Sequence, residues 1–121
     1  MPTRSENPRA RRVADRIHVE LAEILITETE DPRLRLLSIM AAKVSRDLAS
    51  ARIFIAGPVP KADEPAVLRA LRHATPYFRS LLAPRLKLRV VPEIHFEFDR
   101  SAETGDRIEQ LLRQIREKPN E

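Results

Sequence analysis

The segment from residue 65 to residue 92 constrains the fold of this 121-residue chain more than any other stretch. It contains six Lys and Arg residues and no acidic residue. At about 100° per residue, its apolar and basic side chains fall on opposite sides of a helix. The apolar set is Val67, Leu71, Ala74, Phe78 and Leu81, and the basic set is Arg69, Arg72, His73 and Arg79. The pattern predicts an amphipathic helix whose basic face is typical of a nucleic-acid-binding surface.

Pro76 interrupts this helical pattern. Proline has no amide hydrogen, and its ring moves the preceding residue, Thr75, out of the helical conformation. We therefore predict a kink at Ala74, Thr75 and Pro76. Thr75 is expected to cap a second helix that ends near residues 83–84.

A long strand is predicted from residue 85 to residue 99 because apolar and polar residues alternate there. The apolar face carries Leu86, Leu88, Val90, Ile94, Phe96 and Phe98, and the polar face carries Arg85, Lys87, Arg89, Glu93, His95 and Glu97. Pro92 lies within the pattern and cannot donate a ladder hydrogen bond. We therefore expect an edge position or a bulge at Pro92.

The remaining elements follow from simpler patterns. Residues 9–28 have the spacing of an amphipathic helix, and residues 37–45 and 49–56 are predicted strands joined by a turn at residues 45–48. A helix that begins at Ser101 follows the last strand. The order is α-β-β-α-kink-α-β with an added C-terminal helix, and we predict an α+β fold whose three-stranded sheet is covered by helices on one face.

The length and composition indicate a single soluble globular domain. Hydrophobic residues make up 42% of the chain, and charged residues make up 33%. We expect this domain to span residues 9–116, between a flexible N-terminal tail of residues 1–8 and a charged C-terminal tail of residues 117–121.

Positive charge is concentrated in the middle of the chain. The net charge is +4, but residues 32–100 sum to +7, and residues 1–31 sum to −2. The first helix begins with Arg9, Arg11, Arg12 and Arg16 and ends with acidic residues, which is opposite to what the helix dipole favours. A phosphate-containing partner and ordinary solvated side chains both explain these arginines, and both interpretations stay open here.

Several kinds of chemistry are excluded by residue type. Two glycines cannot form a phosphate-binding loop, and the absence of cysteine excludes disulfides and thiolate metal sites. The three histidines show no metal-binding spacing, and no apolar run is as long as a membrane span or signal peptide requires. We expect a cytoplasmic, monomeric protein with no enzymatic activity, cofactor, metal, membrane association or small-molecule substrate.

Four strings of residues carry a resemblance to a known family. They are DPRL at 31–34, VSRDLASARI at 44–53, FRSLL at 78–82 and LRVVPEIHFEFD at 88–99. Together they resemble the ribosome-binding factor A family, and the order of elements is similar to that of a type II KH domain. The resemblance implies a non-enzymatic assembly factor. Such a factor binds free small (30S) ribosomal subunits or their precursors and assists late maturation and processing of 16S rRNA.

The same resemblance focuses attention on the kink. Members of this family place Ala-x-Gly between the two helices, and the matching residues here are Ala74, Thr75 and Pro76. Proline fixes the backbone and removes a donor, so we expect basic side chains to carry the affinity for RNA. The predicted RNA-binding residues are Arg33, Arg35, Lys43, Arg46, Arg69, Arg72, Arg79, Arg85, Lys87 and Arg89.

Two other classes of function remain open from the sequence. A KH-like module could bind RNA with no ribosomal role, since the basic stretch alone permits it. A protein–protein adaptor could use the first or last helix as a docking face, and its binding would resist salt that displaces a phosphate-bound protein.

Overall fold

The structure is a computed structural model that describes residues 7–101. Its elements are α1 (Pro8–Thr27), α2 (Pro32–Arg35), β1 (Ser38–Val44), β2 (Ser50–Ala56), α3 (Glu64–Leu86) and β3 (Glu93–Phe98). The predicted C-terminal helix, the charged tail after it and residues 1–6 of the predicted N-terminal tail lie outside the described residues.

Helix α1 begins at Pro8, one residue before its predicted start. The Asn7 side chain accepts hydrogen bonds from the backbone N–H groups of Arg9 and Ala10, and Pro8 occupies the first turn, where no N–H is required. The amphipathic pattern predicted for residues 9–28 is confirmed, since α1 buries one face. The buried residues of α1 are Ala10, Ala14, Ile17, Leu21, Ile24 and Leu25.

The three strands form one mixed sheet in the order β1-β2-β3. Strands β1 and β2 are antiparallel, whereas β3 is parallel to β2. Ala51, Ile53 and Ile55 of β2 are buried beneath the helices, and Arg52 and Phe54 lie on the uncovered face. The α+β class and a three-stranded sheet covered by helices on one face are confirmed.

The predicted division into two helices at Thr75 and Pro76 is wrong, because α3 is one continuous helix from Glu64 to Leu86. Thr75 does not cap a new helix. Its hydroxyl donates a hydrogen bond to the carbonyl of Leu71, one turn earlier, at 2.7 Å. The helix also continues beyond residues 83–84, where its end was predicted, since Pro84 lies inside the helix.

Burial on both sides of Pro76 explains why the helix continues. The fully buried residues of α3 are Val67, Leu71, Phe78 and Leu82. Burying one such side chain contributes about 1.5–3 kcal/mol, and a proline in a helix interior costs about 3 kcal/mol. Ending α3 at Pro76 would remove the buried side chains before or after Pro76 from the core. The free energy of packing therefore outweighs the preference of proline to end a helix.

The long strand predicted for residues 85–99 is wrong in its first half. Helix α3 continues to Leu86, Lys87 ends it in the left-handed conformation with φ of 56°, and β3 begins only at Glu93. Val90 was predicted to be buried but is 74% exposed. The alternation misleads because Leu86 also continues the four-residue spacing from Leu82. We expected an edge position or a bulge at Pro92, and the edge position is confirmed. Pro92 directly precedes β3, which is an edge strand of the sheet.

Replacing Pro76 with Ala should stabilise the protein. The substitution gives position 76 the N–H group that it lacks, and Pro76 is exposed, so no core packing is lost. We expect the free energy of unfolding to rise by about 1–2 kcal/mol, the helix gain of about 3 kcal/mol being reduced by a more flexible unfolded chain. Chemical denaturation measures the change. Pro65→Ala, in the first turn of α3, is the matched control and should change stability little; equal effects at both positions would contradict the interpretation.

Candidate nucleic-acid interface

Three segments of the chain meet at one end of the molecule, which we call the basic end. They are residues 9–16 at the start of α1, residues 43–48 at the β1–β2 turn, and residues 85–90 at the end of α3. Together they contain nine basic and two acidic residues, a net charge of +7 in a chain whose total is +4. The rest of the chain is therefore net negative.

A groove between α1 and β1 joins the first two segments. It has a volume of about 420 Å³, and its walls include Arg11 from α1 and Lys43 and Arg46 from the β1 side. Asp15 also lines it. The charged residues of this groove are therefore mainly basic, with one carboxylate among them.

A second groove, which we call the α1–α3 groove, joins the first and third segments. It has a volume of about 260 Å³. Its lining consists of Arg9, Arg12, Val13 and Arg16 from α1 and Leu86 and Leu88 from the end of α3. Arg9 and Arg12 are exposed and make no ion pair within residues 7–101. Their positive charges are therefore available to an anionic partner.

Arg85 links α3 to α1 next to the basic end. Its guanidinium donates to the carboxylates of Glu20 and Glu23 at 3.1 and 2.6 Å. Arg16 also pairs with Glu20, at 3.0 Å, and its Nη2 lies 3.5 Å from the carbonyl oxygen of Arg85. The charge of Arg85 is thus already paired with two carboxylates. Arg85, which was predicted to bind RNA, is therefore less available to RNA than its neighbours.

The β1–β2 turn holds Arg46 in an ordered loop. The Ser45 hydroxyl donates to Asp47 at 2.7 Å, and the Ala49 N–H donates to the same carboxylate at 3.0 Å. These hydrogen bonds, that of Ser45 above all, lower the pKa of Asp47. Leu48 adopts the left-handed conformation, with φ of 61°, and the exposed Arg46 makes no ion pair among the described residues.

Four other predicted residues lie away from the basic end. Arg33 pairs with Asp31 at 2.7 Å, and this hydrogen bonding lowers the pKa of the Asp31 carboxyl. The Arg35 guanidinium donates to the carbonyl of Thr29. Arg69 and Arg72 are exposed on α3 without an ion pair in the described part of the chain. The ten predicted residues therefore do not form one patch.

Arg79 was predicted to face outward with the other basic residues of α3, but its guanidinium is directed to the protein itself. It donates to the carbonyls of Val91 and Pro92 at 2.5 and 3.2 Å. These hydrogen bonds join α3 to the segment that leads into β3. Arg79 thus positions the chain after α3, which a sequence pattern could not show.

The opposite end of α1 is acidic. Glu28, Glu30 and Asp31 line a groove of about 460 Å³ that Tyr77 of α3 also borders. The Tyr77 hydroxyl donates to Glu28 at 3.2 Å, which raises the pKa of Tyr77. The molecule therefore has a strong charge asymmetry along α1, with the acidic groove at the end that should repel phosphate.

The arginines of α1 were not among the predicted binding residues, although a signal for them existed. Positive side chains in the first turns of a helix oppose its dipole by about 0.3–1 kcal/mol each. The sequence showed this at Arg9 and Arg11, in the first turn of α1, and left the role of these two residues and of Arg12 and Arg16 open. Only the tertiary structure places Arg9, Arg12 and Arg16 beside Leu86 and Leu88, at least 70 residues later.

Comparison with known proteins identifies the family. A family model described as ribosome-binding factor A matches residues 9–112. The chain belongs to the ribosome-binding factor A family. Ribosome-binding factor A of Thiobacillus denitrificans is 41% identical over 105 residues, covering 87% of this chain and 85% of the relative. That of Syntrophus aciditrophicus is 42% identical over 114 residues, covering 93% of each chain.

Solved structures of the family have the same fold. The crystal structure of ribosome-binding factor A from Thermus thermophilus superposes with a TM-score of 0.66 at 28% identity, covering 76% of this chain and 98% of that one. A Thermus thermophilus ribosome-binding factor A model fitted into the cryo-EM map of a complex with the 30S subunit gives a TM-score of 0.61 at 30% identity, covering 72% and 91%. The predicted KH-like fold class is thus confirmed.

Within residues 7–101, no three His, Asp or Glu side chains are grouped so as to hold a metal ion. None of the helices in that range combines the length and the apolar character needed to cross a membrane.

Arg79→Ala should destabilise the protein, whereas Arg72→Ala should not. Truncating Arg79 leaves the carbonyls of Val91 and Pro92 without their donor, and a hydrogen bond to a charged group contributes about 1.5–3 kcal/mol. Arg72 is exposed, and its truncation should change the unfolding free energy by less than about 0.5 kcal/mol. Chemical denaturation of both variants tests this difference. If the two variants were equally stable, Arg79 would not have the structural role assigned to it.

Proposed function

We propose that this chain is a non-enzymatic assembly factor that binds free 30S ribosomal subunits or their precursors and assists late maturation and processing of 16S rRNA. It acts in the cytoplasm as a monomer and needs no cofactor. Membership of the ribosome-binding factor A family supports the partner. The Thermus thermophilus relative fitted into a map of a 30S complex supports it further.

The observation that carries this proposal is the basic end. Three segments that are distant in sequence bring a net charge of +7 to one end of a small domain. Arginine and lysine side chains neutralise phosphates and release the cations condensed on RNA, which supplies most of the affinity in contacts that do not depend on base sequence. A rigid end with this charge is suited to folded RNA.

The proposed contacts combine predicted residues with the α1 arginines. They are Arg9, Arg12, Arg16, Lys43, Arg46, Lys87 and Arg89. Lys87 and Arg89 are exposed beside the α1–α3 groove, and Lys43 and Arg46 are exposed beside the groove between α1 and β1. Arg69 and Arg72 form a second exposed pair on α3 and serve as the comparison surface.

Position 76 contributes little to this binding. Pro76 has no N–H group to donate to a phosphate, and it lies within a continuous helix. The residues that match the family's Ala-x-Gly therefore do not provide a backbone clamp of the kind that KH domains make with a Gly-x-x-Gly loop. Side chains must carry the contacts.

Charge reversal at the basic end should remove the protein from small subunits. We compare the double variant R9E/R12E with R69E/R72E, since each lowers the net charge from +4 to 0. In sucrose gradients with purified small subunits, R9E/R12E should sediment free, whereas R69E/R72E should still sediment with the subunits. The logarithm of the binding constant falls as the logarithm of the salt concentration rises. This fall should be steeper for the wild type than for the neutral variant R9Q/R12Q, by about 1.4–1.8 in slope, because R9Q/R12Q lacks two phosphate contacts.

The same gradients distinguish the alternative functions. Equal affinity for unrelated free RNA and for small subunits would favour a general RNA-binding module. Binding that persists in salt high enough to screen surface charges would favour a protein–protein adaptor. If R9E/R12E still sedimented with small subunits and R69E/R72E did not, the binding site would lie on the exposed face of α3 instead of at the basic end.

A further inference from the structure

The α1–α3 groove has a feature that phosphate binding does not require. Its lining combines three half-buried apolar residues, which we call the floor, with three exposed arginines, which we call the rim. The floor residues are Val13, Leu86 and Leu88, and the rim residues are Arg9, Arg12 and Arg16. The three arginines are spaced by about one helical turn, so they follow one edge of the groove. Phosphates are fully satisfied by an exposed arginine row. An apolar floor between such arginines needs an apolar ligand surface.

A nucleobase has the chemistry that matches both parts of the groove. Its faces are apolar and planar, and proteins that recognise unpaired bases stack them on aliphatic or aromatic side chains and on arginine guanidinium planes. The groove, at about 260 Å³, is smaller than the roughly 300–1,000 Å³ of a pocket for an entire drug-sized ligand. Its size therefore suits a single base better than a larger ligand.

The groove is held in shape before any ligand arrives. Arg16 is fixed by Glu20 at 3.0 Å, and Arg85 ties the end of α3 to the same carboxylate at 3.1 Å. Glu20 therefore links the guanidinium of Arg16 to the end of α3, next to Leu86. Fixing these groups in the free protein reduces the entropy lost when a ligand binds.

The residues next to the floor supply charge where flanking phosphates would lie. Lys87 and Arg89 alternate with Leu86 and Leu88 and are exposed. Lys87 occupies the left-handed position that ends α3, where glycine is favoured, with φ of 56°. A lysine at this position places a positive charge beside the groove in spite of the backbone preference.

We propose that the α1–α3 groove binds one unpaired nucleobase of the RNA, stacked between the Val13–Leu86–Leu88 floor and the arginine rim, while Lys87 and Arg89 contact the adjoining phosphates. The proposal rests on the proposed function, since it specifies what part of the RNA the basic end receives. The site is distinct from positions 74–76, where the family resemblance places the inter-helix segment.

Three RNA hairpins test this proposal directly with the wild-type protein. The first is fully paired, the second carries a one-nucleotide adenine bulge, and the third carries an abasic nucleotide in place of that adenine. The second and third have the same phosphates, so they differ only in the base. Fluorescence anisotropy should show that the adenine bulge binds about tenfold more tightly than the abasic bulge, in the range measured for single stacked bases.

Two leucine variants then locate the effect. Leu88→Asn removes part of the apolar floor without changing charge, and it should reduce the adenine-to-abasic preference to near unity. Leu36→Asn is the matched control, because Leu36 is 61% exposed at the other end of the molecule, and it should retain the preference. A preference that survives Leu88→Asn would place base recognition elsewhere and overturn the assignment.

The outcomes separate this proposal from the function on which it rests. If wild-type protein binds all three hairpins equally with strong salt dependence and sediments with small subunits, base recognition is wrong and the assembly-factor proposal stands. If it binds no hairpin and does not sediment with subunits, both are wrong. Equal competition by an acidic peptide would show that the groove recognises negative charge alone, which also overturns the proposal.

Discussion

The parallel pairing of β2 with β3 is the constraint on which the charge distribution of this protein depends. Parallel neighbours need a crossover that returns the chain to the end where the first strand began, and α3 is that crossover. The end of α3 must therefore lie beside the β1–β2 turn. Since α1 packs against both β1 and α3, its first turns join them, and three basic segments meet at one end.

Electrostatics within the chain oppose this arrangement, which is why a polyanionic partner explains it better than stability does. The arginines of α1 face the positive end of its dipole, and the acidic residues 28–31 lie at its negative end. Burial of the α1 stripe supplies far more stabilisation than these charges remove. The fold can thus carry an unfavourable charge pattern that becomes favourable when phosphate binds.

Elements with a strong hydrophobic period could be predicted from the sequence. Elements could not be predicted where a helical and a strand pattern overlapped. The amphipathic helix at residues 9–28 and the strand at residues 49–56 were predicted correctly, because burial on one face sets the period of each. Pro76 was misread because its local preference is outweighed by the burial of Phe78 and Leu82. The start of β3 was misplaced because Leu86 fits both the alternation of a strand and the four-residue spacing of a helix. Lys43, Arg46, Lys87 and Arg89 were named in advance, but the partners of Arg79 and Arg85, and the place of the α1 arginines beside them, depend on contacts between distant segments.

The central claim is that the basic end faces the small ribosomal subunit and the acidic end does not. Hydroxyl-radical footprinting of the protein, free and bound to purified small subunits and read by mass spectrometry, tests it most directly. The account predicts that side-chain oxidation falls at residues 9–16, 43–48 and 85–90 and stays unchanged at residues 28–36 and at Tyr77. Protection of residues 28–36 and Tyr77, with the basic end still oxidised, would contradict it.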